Sequence, residues 1–312
     1  MAFAHPQDAL PSGSRSWCVA LACALEASAP KPGNVHPLVD YPDLSYAELV
    51  AAGAAIAPVL GAAATQRLGA TIRAAVAASR SVTRSNANLG IVLAVAPLAS
   101  VPTGIAPTPA AARAVLAVLD AADARECYAA IAAARPGGMG ARGRWDVAGE
   151  PPADLLAAMR DAADRDQIAR LWTDGYEPLF TGLGADIGRE LLSGHDVGTA
   201  LVRAFLGQLA REPDSLIARK HGPAVAAAVS TRAGDVLAAG SAAWPGAVQA
   251  FERDLWSGRG FAGFVPPPGG ARPGTINPGT TADLVAAAVY VLLATGRLQE
   301  LVGPQPTLGS RC

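Results

Sequence analysis

The chain has 312 residues, 51 % of them hydrophobic but only 5 % aromatic, with a formal net charge of −1. That length supports one large or two ordinary domains with a sizeable core, and the lack of any basic run argues against a nucleic-acid partner. A core of Ala, Leu and Val without long period-2 alternation points to helix packed on helix. The expected fold is all-α, a single multi-helical domain of roughly ten to twelve helices over residues 17–298. Residues 1–16 read as a disordered lead and 299–312 as a tail.

The four cysteines, Cys18, Cys23, Cys127 and Cys312, lack metal spacing and read as reduced thiols of a cytoplasmic protein. Pro6 and Pro11 interrupt any secretory core. The uncharged stretches are broken by Pro58 and by Pro97, Pro102, Pro107 and Pro109, so no membrane span is expected.

In chain order, Trp17–Ala27 reads as the first helix, stopped by Pro30-Lys31-Pro32-Gly33-Asn34. Two prolines around Lys31 stiffen the segment and aim its ammonium in a defined direction. A loop with His36, Asp40, Tyr41 and Asp43 leads to the capping box Ser45-Tyr46-Ala47-Glu48, which opens an Ala-rich helix. A helix from Thr65 or Gln66 to Val82 precedes a polar knot, Thr83 to Gly90, containing Asn86 and Asn88; the apolar helix Ile91–Leu98 follows. Helices are expected at Ala110–Asp120 and around Arg125–Ala134, then a loop with Gly137, Gly138, Gly140, Arg142 and Arg144.

From Pro152 to Trp172 the pattern reads as one helix. Leu155, Met159, Ala162 and Ala163 form its apolar face, and Asp161, Asp164 and Asp166 stand on a charged face whose simplest use is solvation. Gly184–Leu192, Val197–Leu209, Pro223–Ala239 and Trp244–Asp254 read as further helices. Between the second and third of these lies a cationic knot, Pro213-Asp214-Ser215-Leu216-Ile217-Ala218-Arg219-Lys220-His221-Gly222.

A Gly/Pro-rich stretch, Trp256–Pro273, delivers the chain to Asn277-Pro278-Gly279-Thr280-Thr281-Ala282-Asp283-Leu284. Asn-Pro-Gly is turn chemistry, and Thr280 reads as an N-cap with Asp283 completing a capping box before a helix that stops at Gly296. Two readings stand: Asp283 is an ordinary acidic cap, or this helix start belongs to a site holding both an anion and a cation.

The second reading gains weight from the other knots. Lys31, Asn86, Asn88, Arg219, Lys220, Thr280 and Thr281 suit a polyphosphate. Asp283, Asp166 and Asp161 suit Mg²⁺, which bridges acids to phosphates. No Walker sequence, Gly-x-Gly-x-x-Gly turn or Gly-x-Ser-x-Gly elbow is present, and the histidines lack zinc spacing. The residues alone suggest a helical enzyme acting on ATP or a related nucleotide with Mg²⁺.

Taken together, the Pro30–Val35, Asn86–Gly90, Pro213–Gly222 and Asn277–Leu284 segments resemble the triphosphoribosyl-dephospho-CoA synthase family, which makes the prosthetic-group precursor of citrate lyase and malonate decarboxylase. The resemblance spans about residues 17–295. It implies that ATP and 3′-dephospho-CoA are the substrates: a ribose hydroxyl attacks C1 of the ATP ribose, adenine leaves and the triphosphate is retained. It also implies Lys31, Arg219 and Lys220 as a phosphate clamp, Asp283 and Asp214 as base or metal ligand, and Asn86 and Asn88 as phosphate or ribose partners.

Two segments depart from the family pattern. Val35 to Asp43 stands where the family carries Gly-Ala-His-x-Asp-Met, and Asn88-Leu89 stands where it carries His-Lys. The Asn277–Asp283 and Pro213–Lys220 forms resemble a separate branch, associated with archaea and with bacteria using archaeal-type one-carbon carriers. Three alternatives therefore stay open: the same nucleotide chemistry on another small-molecule acceptor, an ATP-dependent step in one-carbon carrier cofactor assembly, or a non-catalytic nucleotide-binding factor. A homo-oligomer is compatible with each.

Overall fold

The computed structural model describes residues 14–137, 145–267, 269, 270, 272 and 274–298. Fourteen α-helices form among them and no strand; the extended pairing among the described residues is limited to the isolated bridges His36–Val39 and Tyr41–Leu44. The all-α expectation holds, with more helices than expected.

Two helices make the centre. Helix α4 (Leu89–Ala99) is apolar all round, as is α14 (Gly279–Ala294), whose residues from Thr280 to Leu293 are buried except Asp283. A helix apolar on every side must be enclosed, and here the others enclose it. On one flank stand α1 (Arg15–Ser28), α2 (Tyr46–Gly61), α3 (Leu68–Val82), α5 (Pro109–Ala117) and α6 (Ala121–Ala134). On the other stand α9 (Gly184–Leu192), α10 (Val197–Arg211), α12 (Pro223–Ala238) and α13 (Trp244–Ser257). The stretch Tyr46–Thr65 is long and apolar enough to cross a membrane by length and composition alone; here it packs against α1 and α3.

Local chemistry sets many of the boundaries. Ser45 and Glu48 form the expected capping box of α2, and Asp120 with Asp123 forms a second one at α6. Pro58 and Pro97 lie inside helices that continue past them.

The extra helices come from polar side chains that restart the backbone. The segment expected as one helix to Trp172 is two, α7 (Leu155–Ala162) and α8 (Gln167–Thr173). Asp166 divides them, because its Oδ1 accepts from the Ile168 and Ala169 N–H groups and so begins a new helix. Asp214 does the same within the cationic knot, where its carboxylate caps a short helix, α11 (Ser215–His221).

Candidate active site

The helix expected to follow a Thr280 cap starts two residues earlier, at Gly279. Pro278 is the capping residue and makes no side-chain cap. Asp283 is therefore one turn inside the helix and does not form the expected capping box. The cap comes from another element: Asp214 Oδ2 accepts from the Thr281 N–H at 2.7 Å and from Thr281 Oγ1 at 2.8 Å. With the Leu216 and Ile217 N–H groups on Oδ1, both oxygens of this fully buried carboxylate are occupied by four donors. Asp214, expected to be catalytic, is saturated by the helix starts it joins and does not line the cavity described below. Ser215 Oγ bonds Thr280 Oγ1 at 3.1 Å, and Gln167 Oε1 accepts from the Ser215 N–H, so α8, α11 and α14 are laced together at their N-termini.

Lys31 is saturated as well. Its ammonium has three hydrogens, and three acceptors surround it: Glu26 Oε1 at 2.9 Å, the Glu26 carbonyl, and the Ala29 carbonyl at 3.3 Å. The side chain is fully buried at the C-terminal end of α1, where a cation also meets the negative end of the helix dipole. The Pro-Lys-Pro-Gly turn continues into Gly33 (φ +80°), where a side chain would collide with the Ile276 carbonyl and Pro278; Asn34 Nδ2 bonds Asn277 Oδ1 at 2.7 Å. The first and last motifs thus touch each other, and the Lys31 ammonium is spent on the end of α1.

The open space lies on the other side of α14. A cavity of about 490 Å³ is enclosed by the N-terminal ends of α4 and α14, by α6, α7 and α8, and by α11. Its apolar half is built by Leu93, Tyr128, Ile131, Leu155 and Met159. Its polar end presents Asn86, Arg165, Asp166, Arg219, Thr280 and Asp283. Two long helices direct their N-termini here, a geometry that favours anions.

Asp283 is the unusual member. Burial pushes its carboxyl well above the ordinary carboxylate range; the negative charges of Glu26, Asp214 and Asp166 push the same way, and a backbone hydrogen bond from Ile91 opposes them. Gly90 makes room for it: a Cβ there would stand 1.9 Å from Asp283 Oδ2. No cation is paired with Asp283 among the described residues, and its exposed part faces the cavity.

The remaining expected residues divide. Arg219 reaches the cavity and bonds Asp166 Oδ2 and the Gly137 carbonyl, each at 3.1 Å. Lys220 packs beside Gly137 at the rim and has no ion-pair partner among the described residues. Asn86 lines the cavity and its Oδ1 accepts from the Leu89 N–H; Thr280 also lines it, while Thr281 is buried against Asp214. Asn88 is buried on the far side of the α4 start, in a small hollow with Arg80 and Ser85, and neither of its amide atoms has a partner.

The expected Mg²⁺ set does not assemble. Asp161 is exposed and paired with Arg165 at 2.8 Å, and Asp166 divides its oxygens between the α8 cap and Arg219. Among the described residues no group of three His, Cys, Asp or Glu side chains could hold a metal ion. Gly138, Gly140, Arg142 and Arg144 lie outside the described residues. Sequence reasoning passed over Gly90 and Glu26. It read Leu155 and Met159 correctly as an apolar face, but that face looks into the cavity as well as the core.

Residues 13–301 match the model of the CitG family, ATP:dephospho-CoA triphosphoribosyl transferase. The chain belongs to this family. Its members are transferases that use ATP and dephospho-CoA. A crystal structure from Archaeoglobus fulgidus, provisionally described as a triphosphoribosyl-dephospho-CoA synthase, superposes with a TM-score of 0.56 at 23 % identity, covering 79 % of this chain and 99 % of its own. At that identity it speaks for the shared fold. No curated protein is significantly similar.

Proposed function

We propose that this CitG-family chain transfers the triphosphoribosyl group of ATP to a hydroxyl of dephospho-CoA in the cytoplasm, with the reacting atoms at Asp283. The observation that carries this reading is the contrast at the cavity floor: one carboxylate there is unpaired and held above its usual proton affinity, while the acids and bases around it are bonded to protein. A carboxyl shifted in that direction is, once ionised, a stronger base towards an attacking hydroxyl than an ordinary carboxylate.

The hydroxyl oxygen bonds to C1 of the ATP ribose as its proton passes to Asp283, and the bond from C1 to adenine breaks with the electron pair leaving on adenine. The carboxylate also offsets positive charge developing on the ribose ring. The N-terminal ends of α4 and α14, with Asn86, Thr280, Arg219 and Lys220, supply donors and positive potential for the triphosphate. Arg219 serves this role by trading its bond with Asp166 for phosphate oxygens. The apolar half takes the flat adenine ring. Mg²⁺ enters as the counter-ion of the nucleotide, part of the MgATP substrate, because the carboxylates among the described residues do not form a cage for it.

The test is incubation of the protein with MgATP and dephospho-CoA, followed by chromatography for free adenine. Adenine together with an acceptor enlarged by a triphosphoribosyl group is the expected result. ADP or AMP with an intact adenine–ribose bond would remove the reading. Adenine released only with a different hydroxyl compound would retain the donor half and reassign the acceptor.

A further inference from the structure

The apolar half of the cavity is not uniform. Leu93, Ile131, Leu155 and Met159 give it flexible, unsaturated-free walls that suit any apolar group, whereas Tyr128 and Trp145 bring the aromatic rings among the described lining residues. Tyr128 is buried in α6, and Trp145 comes from the stretch between α6 and α7. The two are joined: the Tyr128 hydroxyl donates to the Trp145 carbonyl at 3.0 Å. Trp172 makes a useful contrast. It stands behind Leu93, fully enclosed, with its ring N–H given to the Leu93 carbonyl at 2.9 Å, and it does not line the cavity. An aromatic face held at a cavity wall favours a flat heterocycle over an aliphatic group, because stacking adds to the burial of apolar area. The opposite end of the same cavity carries the α4 and α14 N-termini, which favour phosphate. Base and triphosphate lie at opposite ends of a nucleotide, so one molecule lying lengthwise meets both ends.

We propose that Tyr128 and Trp145 form the base site of the donor nucleotide. The Trp145 indole stacks on the adenine ring of ATP, and Tyr128 is a positioning residue that holds Trp145 at the wall through its carbonyl. The stacked adenine belongs to the molecule whose phosphates occupy the polar end, and therefore to ATP and not to the acceptor. The same corner holds adenine after its bond to C1 has broken, so it binds the free base as well as ATP. The inference rests on this cavity being the ATP site.

Free adenine, ATP and dephospho-CoA are titrated calorimetrically into the native chain and into Trp145→Leu and Trp145→Phe, with tryptophan fluorescence followed during the adenine titration. Trp145→Leu should weaken adenine and ATP alike by about tenfold, as loss of one base–aromatic stack implies, and should remove most of the quenching by adenine. Trp145→Phe keeps a ring and should stay within about threefold of native. ATP carries the comparison if free adenine is too weak to titrate. Unchanged affinity in folded Trp145→Leu overturns the proposal. Weakening of dephospho-CoA as much as ATP, or more, overturns the assignment to the donor.

Tyr128→Phe keeps its own ring and drops the bond to the Trp145 carbonyl. It should weaken ATP about threefold in the native background and leave Trp145→Leu unaffected, since two residues acting through one contact are not additive. Equal losses in both backgrounds would make Tyr128 merely structural and overturn its positioning role. Adenine release from MgATP and dephospho-CoA then separates this proposal from the transfer reading. A chain that binds adenine through Trp145 but releases none keeps the base site and loses the reaction. Adenine release at native KM for ATP in Trp145→Leu keeps the reaction and overturns the base site.

Discussion

The two faces of the α14 N-terminus use the same residue types in opposite ways. On one side Asp214 takes four hydrogen bonds and Lys31 gives three, so each is saturated and buried. On the other side Asp283 has no N-cap of its own to complete and, among the described residues, no cation to balance, and it faces a cavity. Saturated polar groups fix geometry because losing any partner leaves a buried charge unmet; an unsaturated one keeps free energy available for a ligand. The saturated face is scaffold, and the unsaturated face, a few residues away along one helix, is where the proposed chemistry is placed.

The strongest way to break this contrast is at Asp283. Asp283→Asn should lower adenine formation by about 10²–10⁴-fold, the usual range for a lost general base, while the melting temperature holds or rises. Full activity in that variant would mean the cavity is not the reacting site. Gly90→Ala tests the same point by shape. An exposed helical Gly→Ala change gains about 0.5–1 kcal/mol, but here the new methyl would meet Asp283 Oδ2. Activity should fall at least tenfold, measured by adenine release, and a variant that is merely more stable would show that Asp283 has room to spare.

On the scaffold face the expected losses are of stability. Asp214→Ala strands the Thr281, Leu216 and Ile217 N–H groups and should cost about 3 kcal/mol or more in chemical denaturation, with ATP affinity retained below the transition. Lys31→Met leaves Glu26 buried without its cation and should cost about 3–5 kcal/mol, again without weakening ATP. Weakened nucleotide binding with normal stability in either variant would erase the distinction between the two faces.

Much of the fold was legible because Ala/Leu periodicity, the Ser45–Glu48 capping box and the Gly/Pro stops act locally. The α7–α8 break was not, because Asp166 looks like one more charge on a helix face until its carboxylate turns back onto the Ile168 and Ala169 N–H groups. The motifs correctly marked where the chain converges, but not which residues there are free. Lys31 and Asp214 looked reactive because they are charged and set in stiff turns. Whether a charge is spent on protein depends on partners such as Thr281, 67 residues from Asp214, which no local pattern reveals. Gly90 matters only through Asp283, across a contact between helices distant in sequence.

The smallest effect is also the most direct reading of Asp283. A carboxyl whose folded value lies above its unfolded value, about 4, keeps its proton in the native state after the unfolded chain has released it. The native state then binds more protons than the unfolded one, so this group's contribution to stability falls as pH rises from about 4 through the raised native value, and is level on either side. Asp120, Asp196 and Glu48 are shifted the other way by hydrogen bonds, so their stabilising contribution builds up as pH rises towards about 4 and is level above it, outside the window in which Asp283 acts. Subtracting melting curves of Asp283→Asn from those of the native chain isolates the one group. The variant should gain relative stability steadily as pH rises above about 4, until the raised native value is passed. A difference that stays flat across that range would make Asp283 an ordinary charged carboxylate. Charge held beside Glu26 and Asp214 at no cost in stability would need a cation on it, and the unsaturated face would then be as fully committed as the saturated one.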